Sequence, residues 1–258
     1  MIVTVLGSCA NQTATRESQS ILVEDRERNL NVLVDASPGI VAALGKSGRN
    51  AAEINDVILT HSHGDHILGF AYFVWQRHYE RLGSEAAGDL RVHGLENVIE
   101  LASGMLFGCY GETKFPFDVS FHKISPNSEF KIGESRIATC GTRHTTPSIG
   151  CTISAGDQKV AISSDTSKSD DFIVLAKQAN LLLHEGMWTE AYREIADATL
   201  HSTANEAGLV ARAAGVRQLA LMHVYPQFLG RESELLREAA KVFDGPISVP
   251  HDGSVYLV

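Results

Sequence analysis

Cysteine is scarce in this chain and forms no motif. The 258 residues contain four cysteines, with no Cys-x-x-Cys spacing: Cys9, Cys109, Cys140 and Cys151. This scatter argues against a disulfide framework and favours reduced, buried thiols in a cytoplasmic protein. A hairpin that places Cys140 opposite Cys151 stays open as an alternative.

Long apolar runs and an excess of basic residues are also lacking. The N-terminal run MIVTVLGSCANQ has no basic flank and is too short for a signal peptide or a membrane span. The formal net charge of −9 argues against a large nucleic-acid surface, because phosphate binding needs a basic face. No linker, low-complexity segment or block of charge divides the chain. We therefore expect one domain over residues 1–258 that does not enter a membrane.

Apolar periodicity predicts strands and helices in a mixed order. Strands are expected at residues 2–6, 20–24, 30–34 and 57–59, a helix at 40–46, and further helices at 70–82 and 95–109. Trp75 and Tyr79 are predicted to lie in the core. Residues 119–163 are typical of successive strands, and helices alternate with strands from there to the C-terminus. This order indicates an α/β (α+β) chain in two halves of similar layout, with a mixed sheet and helices outside it.

Histidine is concentrated in one place, directly after the predicted strand that ends at Leu59. The run reads Thr60-His61-Ser62-His63-Gly64-Asp65-His66. Strand alternation lets His61 and His63 point the same way, and Gly64 allows a tight turn that brings Asp65 and His66 back. Imidazoles and a carboxylate so close together favour a bound cation such as zinc. The competing interpretation is a polar surface loop rich in histidine by chance.

Three more candidate ligands each follow a predicted apolar strand. They are His144, Asp165 and His223. Each residue taken alone is equally consistent with a hydrogen-bonded polar group in the core. Together they suit a site at one sheet edge, where strand ends would collect them.

The pattern His-x-His-x-Asp-His resembles the signature of the metallo-β-lactamase fold superfamily, whose members are four-layer αββα sandwiches. The resemblance implies one divalent ion on His61, His63 and His144, a second on Asp65, His66 and His223, and Asp165 between them. Asp35 matches an upstream carboxylate that contacts the metal ligands and not the metal itself. A water shared by two such ions loses its proton near neutral pH and becomes the attacking nucleophile. Zinc is expected, and manganese and iron suit the same donors.

Within this superfamily the chain resembles the ribonuclease Z group of tRNA 3′-processing endonucleases. The matching elements are Ser164-Asp165-Thr166, His184-Glu185 and His201-Ser202-Thr203. The resemblance implies that His201 contacts the scissile phosphate and helps the leaving oxygen, that Glu185 orients it, and that the protein is a homodimer. Asp65 is assigned a catalytic role as well as a ligand role. Ser202 or Thr203 is expected to cap a helix whose N–H groups suit a phosphate.

The chain departs from the ribonuclease Z pattern where that group binds tRNA. The long arm between the positions of His144 and Asp165 is replaced by an interval sufficient for a hairpin, and Arg16 is the only basic residue of the loop at 7–18. These differences argue against tRNA and leave the hydrolytic residues intact.

The sequence therefore predicts a dinuclear metal-dependent hydrolase, of the ribonuclease Z-like phosphodiesterase type, for a small or single-stranded phosphodiester. A lactone or carboxylic-ester hydrolase on the same metals is the first alternative. A catalytically idle binding module is the second. Whether the loops at 7–18, 108–116 and 224–230 shape the pocket is left open by the sequence; the loop at 108–116 could equally pad the core.

Overall fold

Two seven-stranded mixed sheets lie at the centre of the molecule, whose residues 1–82 and 88–258 are described by a computed structural model. The first sheet contains β1 (Ile2–Gly7), β2 (Ser20–Asp25), β3 (Leu30–Val34), β4 (Asp56–Leu59), β5 (Leu90–Gly94), β6 (Val119–Lys123) and β14 (Ser254–Leu257), in the order β14-β1-β2-β3-β4-β5-β6. The second contains β7 (Glu129–Ile132), β8 (Ser135–Gly141), β9 (Ile149–Ala155), β10 (Gln158–Ile162), β11 (Leu181–Glu185), β12 (Leu219–Met222) and β13 (Ile247–Ser248), in the order β13-β12-β11-β10-β9-β8-β7.

Helices cover the outer faces of both sheets. They are α1 (Ile40–Lys46), α2 (Gly64–Ile67), α3 (Phe70–Arg81), α4 (Glu96–Tyr110), α5 (Asp170–Leu175), α6 (Arg193–Thr199), α7 (Ala204–Ala214) and α8 (Glu232–Ala240). One buried cluster joins the two sheets to one another and to α1, α3 and α4. A second cluster joins the other face of the second sheet to α5, α7 and α8. The predicted αββα sandwich is confirmed.

Parallel strands in each half direct their carboxyl ends to the edge where the histidine cluster lies. β3, β4, β5 and β6 are parallel neighbours in one sheet, and β10, β11, β12 and β13 in the other. Three of the residues that follow these strands have left-handed backbones, Asp35 (φ 63), Ser164 (φ 55) and His223 (φ 55). Such conformations cost non-glycine residues about 1–3 kcal/mol each, so the surrounding structure must hold them in place.

The segment at 108–116 packs against the outer helices at the opposite end of β4. Tyr110 stacks on Trp75 with ring centroids 4.4 Å apart, and the ring of Phe117 lies 4.9 Å from the Arg77 guanidinium. Arg77 is buried and donates hydrogen bonds to the carbonyl oxygens of Ala51 and Ala52, which precede β4. Within the described chain this segment therefore pads the helical layer and does not overhang the histidine cluster.

The four cysteines are free thiols, and only Cys109 is exposed. The register pairs Cys140 with Gly150 and Cys151 with Thr139, so the two thiols point to opposite faces of the sheet. Within residues 1–82 and 88–258, no helix combines the length and apolar character needed to cross a membrane. The loop predicted at 83–88 lies, apart from Gly88, outside the described residues.

Candidate metal centre

The histidine cluster occupies the turn between β4 and α2. His61 and His63 follow the strand in extended backbone, and α2 begins at Gly64, so that Asp65 and His66 lie in its single turn. His61 and His66 are buried, whereas His63 and Asp65 are half-buried. The change from extended to helical backbone turns all four side chains toward a common space.

The three distant candidates reach the same space from the ends of other strands. His144 follows β8, Asp165 follows β10, and His223 follows β12. One donor set consists of His61, His63, His144 and Asp165, and the other of Asp65, His66, Asp165 and His223. Within each set the donor atoms all lie within 4.8 Å of one another. The structure thus brings the seven predicted residues together, with Asp165 common to both sets.

The donor atoms of these sets fit divalent cations. His63 Nδ1 lies 3.0 Å from His144 Nε2, and His66 Nε2 lies 3.4 Å from His223 Nε2. The buried atoms His61 Nε2 and Asp165 Oδ1 accept or donate no hydrogen bond within the described part of the chain. Imidazole nitrogens and carboxylate oxygens that converge in this way are the ligands that zinc, manganese and iron prefer.

Buried hydrogen bonds orient most of the imidazole rings. Asp35 Oδ2 lies 2.7 Å from His66 Nδ1 and 2.9 Å from Thr60 Oγ1, and its Oδ1 accepts from the Thr60 N–H at 2.8 Å. The hydroxyl of Thr60 lies 3.1 Å from His61 Nδ1, and the Leu200 carbonyl lies 3.3 Å from His144 Nδ1. Such contacts set the tautomer and direction of a metal-binding ring.

Thr60 and Ser164 were assigned no role of their own from the sequence. Ser164 donates a hydrogen bond to Thr60 at 2.7 Å, which joins the strand ends of the two sheets behind His61. The signal in the sequence was weak, because a hydroxyl residue at the end of a strand is common on any surface. Their role depends on a contact across 104 residues of sequence.

Burial and neighbouring charges shift the pKa of His66 and of Asp65 in opposite directions, whereas His66 reinforces the effect of burial on His61. Burial lowers the pKa of His61 well below its usual value, and the neighbouring His66 adds to that effect. Burial also disfavours charge on His66, but Asp165 and Asp35 outweigh it and raise the pKa of His66. For Asp65, burial is outweighed by His223 and His66, so that its pKa falls below the usual range. Asp65 is therefore ionised at neutral pH, as a ligand must be.

Glu185 and His201 form a pair beside the two donor sets. Glu185 is fully buried at the end of β11, with Oε1 3.1 Å from His201 Nδ1 and Oε2 accepting from the Ser202 N–H at 2.9 Å. The ring centroid of His201 lies 4.9 Å from that of His144 and 5.2 Å from that of His223. Burial alone would lower the pKa of His201, but Glu185 outweighs it and raises this pKa to about 9. The ring of His201 thus lies beside a candidate ligand of each donor set, and its raised pKa favours the protonated form.

Thr203 caps α7, one of the two caps expected from the sequence, and the N–H groups of Thr203, Ala204 and Glu206 at this N-terminus bond within the chain. Thr203 caps the helix by accepting from the Glu206 N–H, and the Glu206 carboxylate accepts from the Thr203 N–H at 3.0 Å. The Ala204 N–H donates to the Trp188 carbonyl at 2.7 Å. These three N–H groups are therefore not free to bind a phosphate.

Comparison with known proteins agrees with the family resemblance seen in the sequence motifs. A sequence model of the family described as "Anti-Pycsar protein Apyc1" matches residues 1–233. An uncharacterized protein of Mycobacterium tuberculosis is 31% identical over 221 residues, which cover 84% of this chain and 77% of that protein. A ribonuclease Z of Haloferax volcanii is 25% identical over 305 residues, covering 96% of this chain and 91% of its own length.

A solved structure supports the fold independently. The metallo-β-lactamase fold protein YhfI from Bacillus subtilis aligns with a TM-score of 0.85 and 23% identity, over 99% of this chain and 98% of that one. The resemblance to metallo-β-lactamase fold hydrolases and to ribonuclease Z is confirmed. The chain belongs to the Anti-Pycsar protein Apyc1 family and is a metal-dependent hydrolase of the metallo-β-lactamase fold.

Proposed function

We propose that this hydrolase is a dinuclear metal-dependent phosphodiesterase, with a small or single-stranded phosphodiester, such as a cyclic nucleotide or a short RNA, as its substrate. One ion would be held by His61, His63 and His144, and the other by Asp65, His66 and His223, with Asp165 shared. Zinc is the expected metal. The buried free thiols agree with a cytoplasmic setting.

The observation that carries this proposal is the position of the Glu185–His201 pair. Hydrolysis of a phosphodiester releases an alkoxide, which needs a proton as the bond to phosphorus breaks. His201 lies within 5.2 Å, ring to ring, of a candidate ligand from each donor set, and its Nδ1 is held by Glu185. Its other ring nitrogen is therefore directed away from the carboxylate, as a general acid requires.

The chain's own residues have distinct roles in this scheme. When bound, the two ions would supply an activated water and positive charge opposite the negative charge of the reacting phosphate. Glu185 keeps His201 protonated and oriented. Asp35 and Thr60 hold the rings of His66 and His61, and the half-buried residues His63 and Asp65 leave one face of the site accessible.

The size of the substrate is inferred from the interval between His144 and Asp165. β9 and β10 fill that interval as a tight hairpin, with a turn at Gly156 and Asp157. No protruding arm exists between residues 149 and 162 to grip a folded RNA. The net charge of −9 also disfavours a large polyanion.

The test measures hydrolysis by protein loaded with zinc or manganese. The substrates are bis(p-nitrophenyl) phosphate, cyclic nucleotides, a short RNA, a precursor tRNA and a lactone. Turnover of the first three with little turnover of tRNA is expected. Metal binding without any turnover would contradict the proposal and favour a binding module.

A variant of His201 separates the phosphodiesterase from a carboxylic-ester hydrolase. His201→Ala should lower kcat on phosphodiesters by about 10²- to 10⁴-fold, the usual contribution of a general acid. His122→Ala, at an exposed position on β6, is the matched control and should leave kcat unchanged. If lactone is the better substrate and its turnover survives His201→Ala, the ester alternative is correct.

We also propose that the protein is a homodimer. The outer faces of α3 and α4 expose Tyr72, Tyr79 and Phe107 by 54%, 55% and 67%, and Gly104 lies on the same face of α4 as Phe107, with open space around it. Clustered exposed apolar residues of this kind mark protein interfaces. Sedimentation should give a dimer that Phe107→Glu converts to monomer; a monomeric wild type would contradict this part.

A further inference from the structure

Within the described part of the chain, the ring of His223 lacks the Nδ1 hydrogen bond that the rings of His61, His66 and His144 have. Its Nε2 faces Asp65 Oδ2 and Asp165 Oδ2, each at 3.3 Å. Its Nδ1 is buried, and no group in the described part of the chain hydrogen-bonds to it. His223 also has a left-handed backbone, which a non-glycine residue adopts at a cost. The direction of this ring therefore depends on how its backbone is held.

The backbone that follows His223 is held by the loop at 7–18. The Val224 N–H donates to the Ser8 carbonyl at 2.9 Å, and the Val224 carbonyl accepts from the Ala10 N–H at 3.0 Å. The thiol of Cys9 donates to the same carbonyl at 3.2 Å. Both polar groups of Val224 are thus bonded to one short stretch of the chain, residues 8–10.

Arg16 connects that stretch to the C-terminal part of the chain. It is 7% exposed, and its Nη2 donates to the Ser8 hydroxyl and, at 2.7 Å, to the Pro250 carbonyl. Its Nη1 donates to His251 Nδ1 at 3.0 Å, and its Nε donates to Asp252 Oδ1 at 3.3 Å. The other oxygen of Asp252 accepts from the Glu17 N–H at 2.7 Å. The carboxylate of Glu232 also lies near this guanidinium, with its Oε1 3.7 Å from Arg16 Nη1.

We propose that Arg16 is a positioning residue for His223. It fixes residues 8–10 between Val224 and the turn at Pro250–Asp252, and this contact holds His223 toward Asp65 and Asp165. The inference rests on the proposed dinuclear site but not on the identity of the substrate. Pro250, His251 and Asp252 lie beyond the region matched by the family model, so the proposal gives the C-terminal segment a part in the metal site.

The test is a titration of the metal-free protein with Co²⁺, whose visible spectrum reports the geometry of each bound ion. Wild type should take up two ions. Arg16→Met should bind one ion as wild type does and bind the other about 10- to 100-fold more weakly, the usual effect of removing a group that supports a ligand. Arg16→Lys, which keeps the charge but loses the planar fork, should give an intermediate result.

Two further variants keep the experiment decisive. Asp252→Asn removes the negative charge beside Arg16 and one of the two oxygens that accept from Arg16 and from the Glu17 N–H, while every residue of the loop at 7–18 is kept. It should weaken the same ion, and it replaces Arg16→Met if that variant does not fold. Arg26→Ala, at an exposed position after β2, is the matched control and should bind both ions normally. Two ions bound with wild-type affinity by folded Arg16→Met and Asp252→Asn would overturn this proposal alone. A wild type that binds one ion would overturn the dinuclear site, and the proposal with it.

Discussion

The single residue Asp35 forms hydrogen bonds with three neighbouring groups. It is fully buried, with Oδ1 bonded to the Thr60 N–H and Oδ2 shared by the Thr60 hydroxyl and His66. Asp35→Asn replaces an acceptor by an N–H₂ group facing a donor, so we expect metal affinity to fall by about 10- to 100-fold. Competition with a chromogenic chelator measures this. Asp157→Asn, in the exposed turn of the β9–β10 hairpin, should have no effect.

The Glu185–His201 pair predicts the direction of a pH effect. Glu185 raises the pKa of His201 to about 9 against the opposing effect of burial. A bound metal pair would lower this pKa again, so the comparison between variants is the informative one. In the proposed mechanism the protonated ring is the active form, so the rate should fall as pH rises through the pKa of His201. Glu185→Gln removes the largest influence that opposes burial and leaves the weaker one of Asp165, so the alkaline limb of the kcat profile should move to lower pH. An unmoved limb would exclude His201 as the acid.

Among the secondary-structure elements, helix α2 depends on Gly69 for its position. A Cβ at this position would lie 1.9 Å from the Ser37 carbonyl oxygen and 2.8 Å from Ile40 Cγ2. The Gly69 N–H donates to the Ala36 carbonyl at 3.0 Å, and the Ala36 N–H donates to the His66 carbonyl at 2.8 Å. A side chain here would therefore push the α2 turn away from Asp35.

Gly69→Ala should lower the free energy of unfolding by about 1–3 kcal/mol, as overpacking does. The measurement is urea denaturation followed by circular dichroism. Gly45→Ala is the matched control, because Gly45 lies within α1 and an added methyl group there would meet no atom within 4 Å. That control should stabilise the protein by roughly 0.5–1 kcal/mol. Equal stability of Gly69→Ala and wild type would contradict the argument.

Elements with a regular apolar period were predicted well, and irregular ones were not. The predicted helix at 40–46 coincides with α1, and the strand at 30–34 with β3. α6 was missed, because ArgGluIleAlaAspAlaThr buries only Ala196 and shows no apolar period. Tyr79, predicted to lie in the core, is 55% exposed at the surface of α3. An aromatic residue at helical spacing does not by itself reveal which face is covered.

The behaviour of the whole molecule should depend on metal. A free metal concentration of 100 times the dissociation constant stabilises a protein by about 2.7 kcal/mol per site. For a chain of this length, that stabilisation raises Tm by several degrees. Calorimetry should therefore show a lower Tm after removal of metal with EDTA and recovery on adding zinc. Asp165→Asn changes the donor common to both sets, so the Tm of this variant should change little when EDTA is added.

Net charge predicts how the enzyme responds to salt. A protein that neutralises 6–10 phosphates loses about 10³- to 10⁵-fold in affinity between 50 and 200 mM salt. With a net charge of −9, the cyclic-nucleotide KM should change by less than about threefold over that range. If KM for a short RNA rose steeply with salt over the same range, the protein would neutralise many phosphates, which would contradict the proposed size class.

Local patterns in the amino-acid sequence determined the type of fold and the choice of candidate ligands. Apolar periods identify strands and helices, and His61 to His66 follow a strand without a gap, so both signals lie within a few neighbouring residues. The tertiary structure brings His144, Asp165 and His223 into one space, and it alone decided that Thr203 and not Ser202 caps α7 and that Arg16 is buried. Arg16 and Asp252 are 236 residues apart in sequence, and a hydrogen bond over that separation exists only once the sheets have packed.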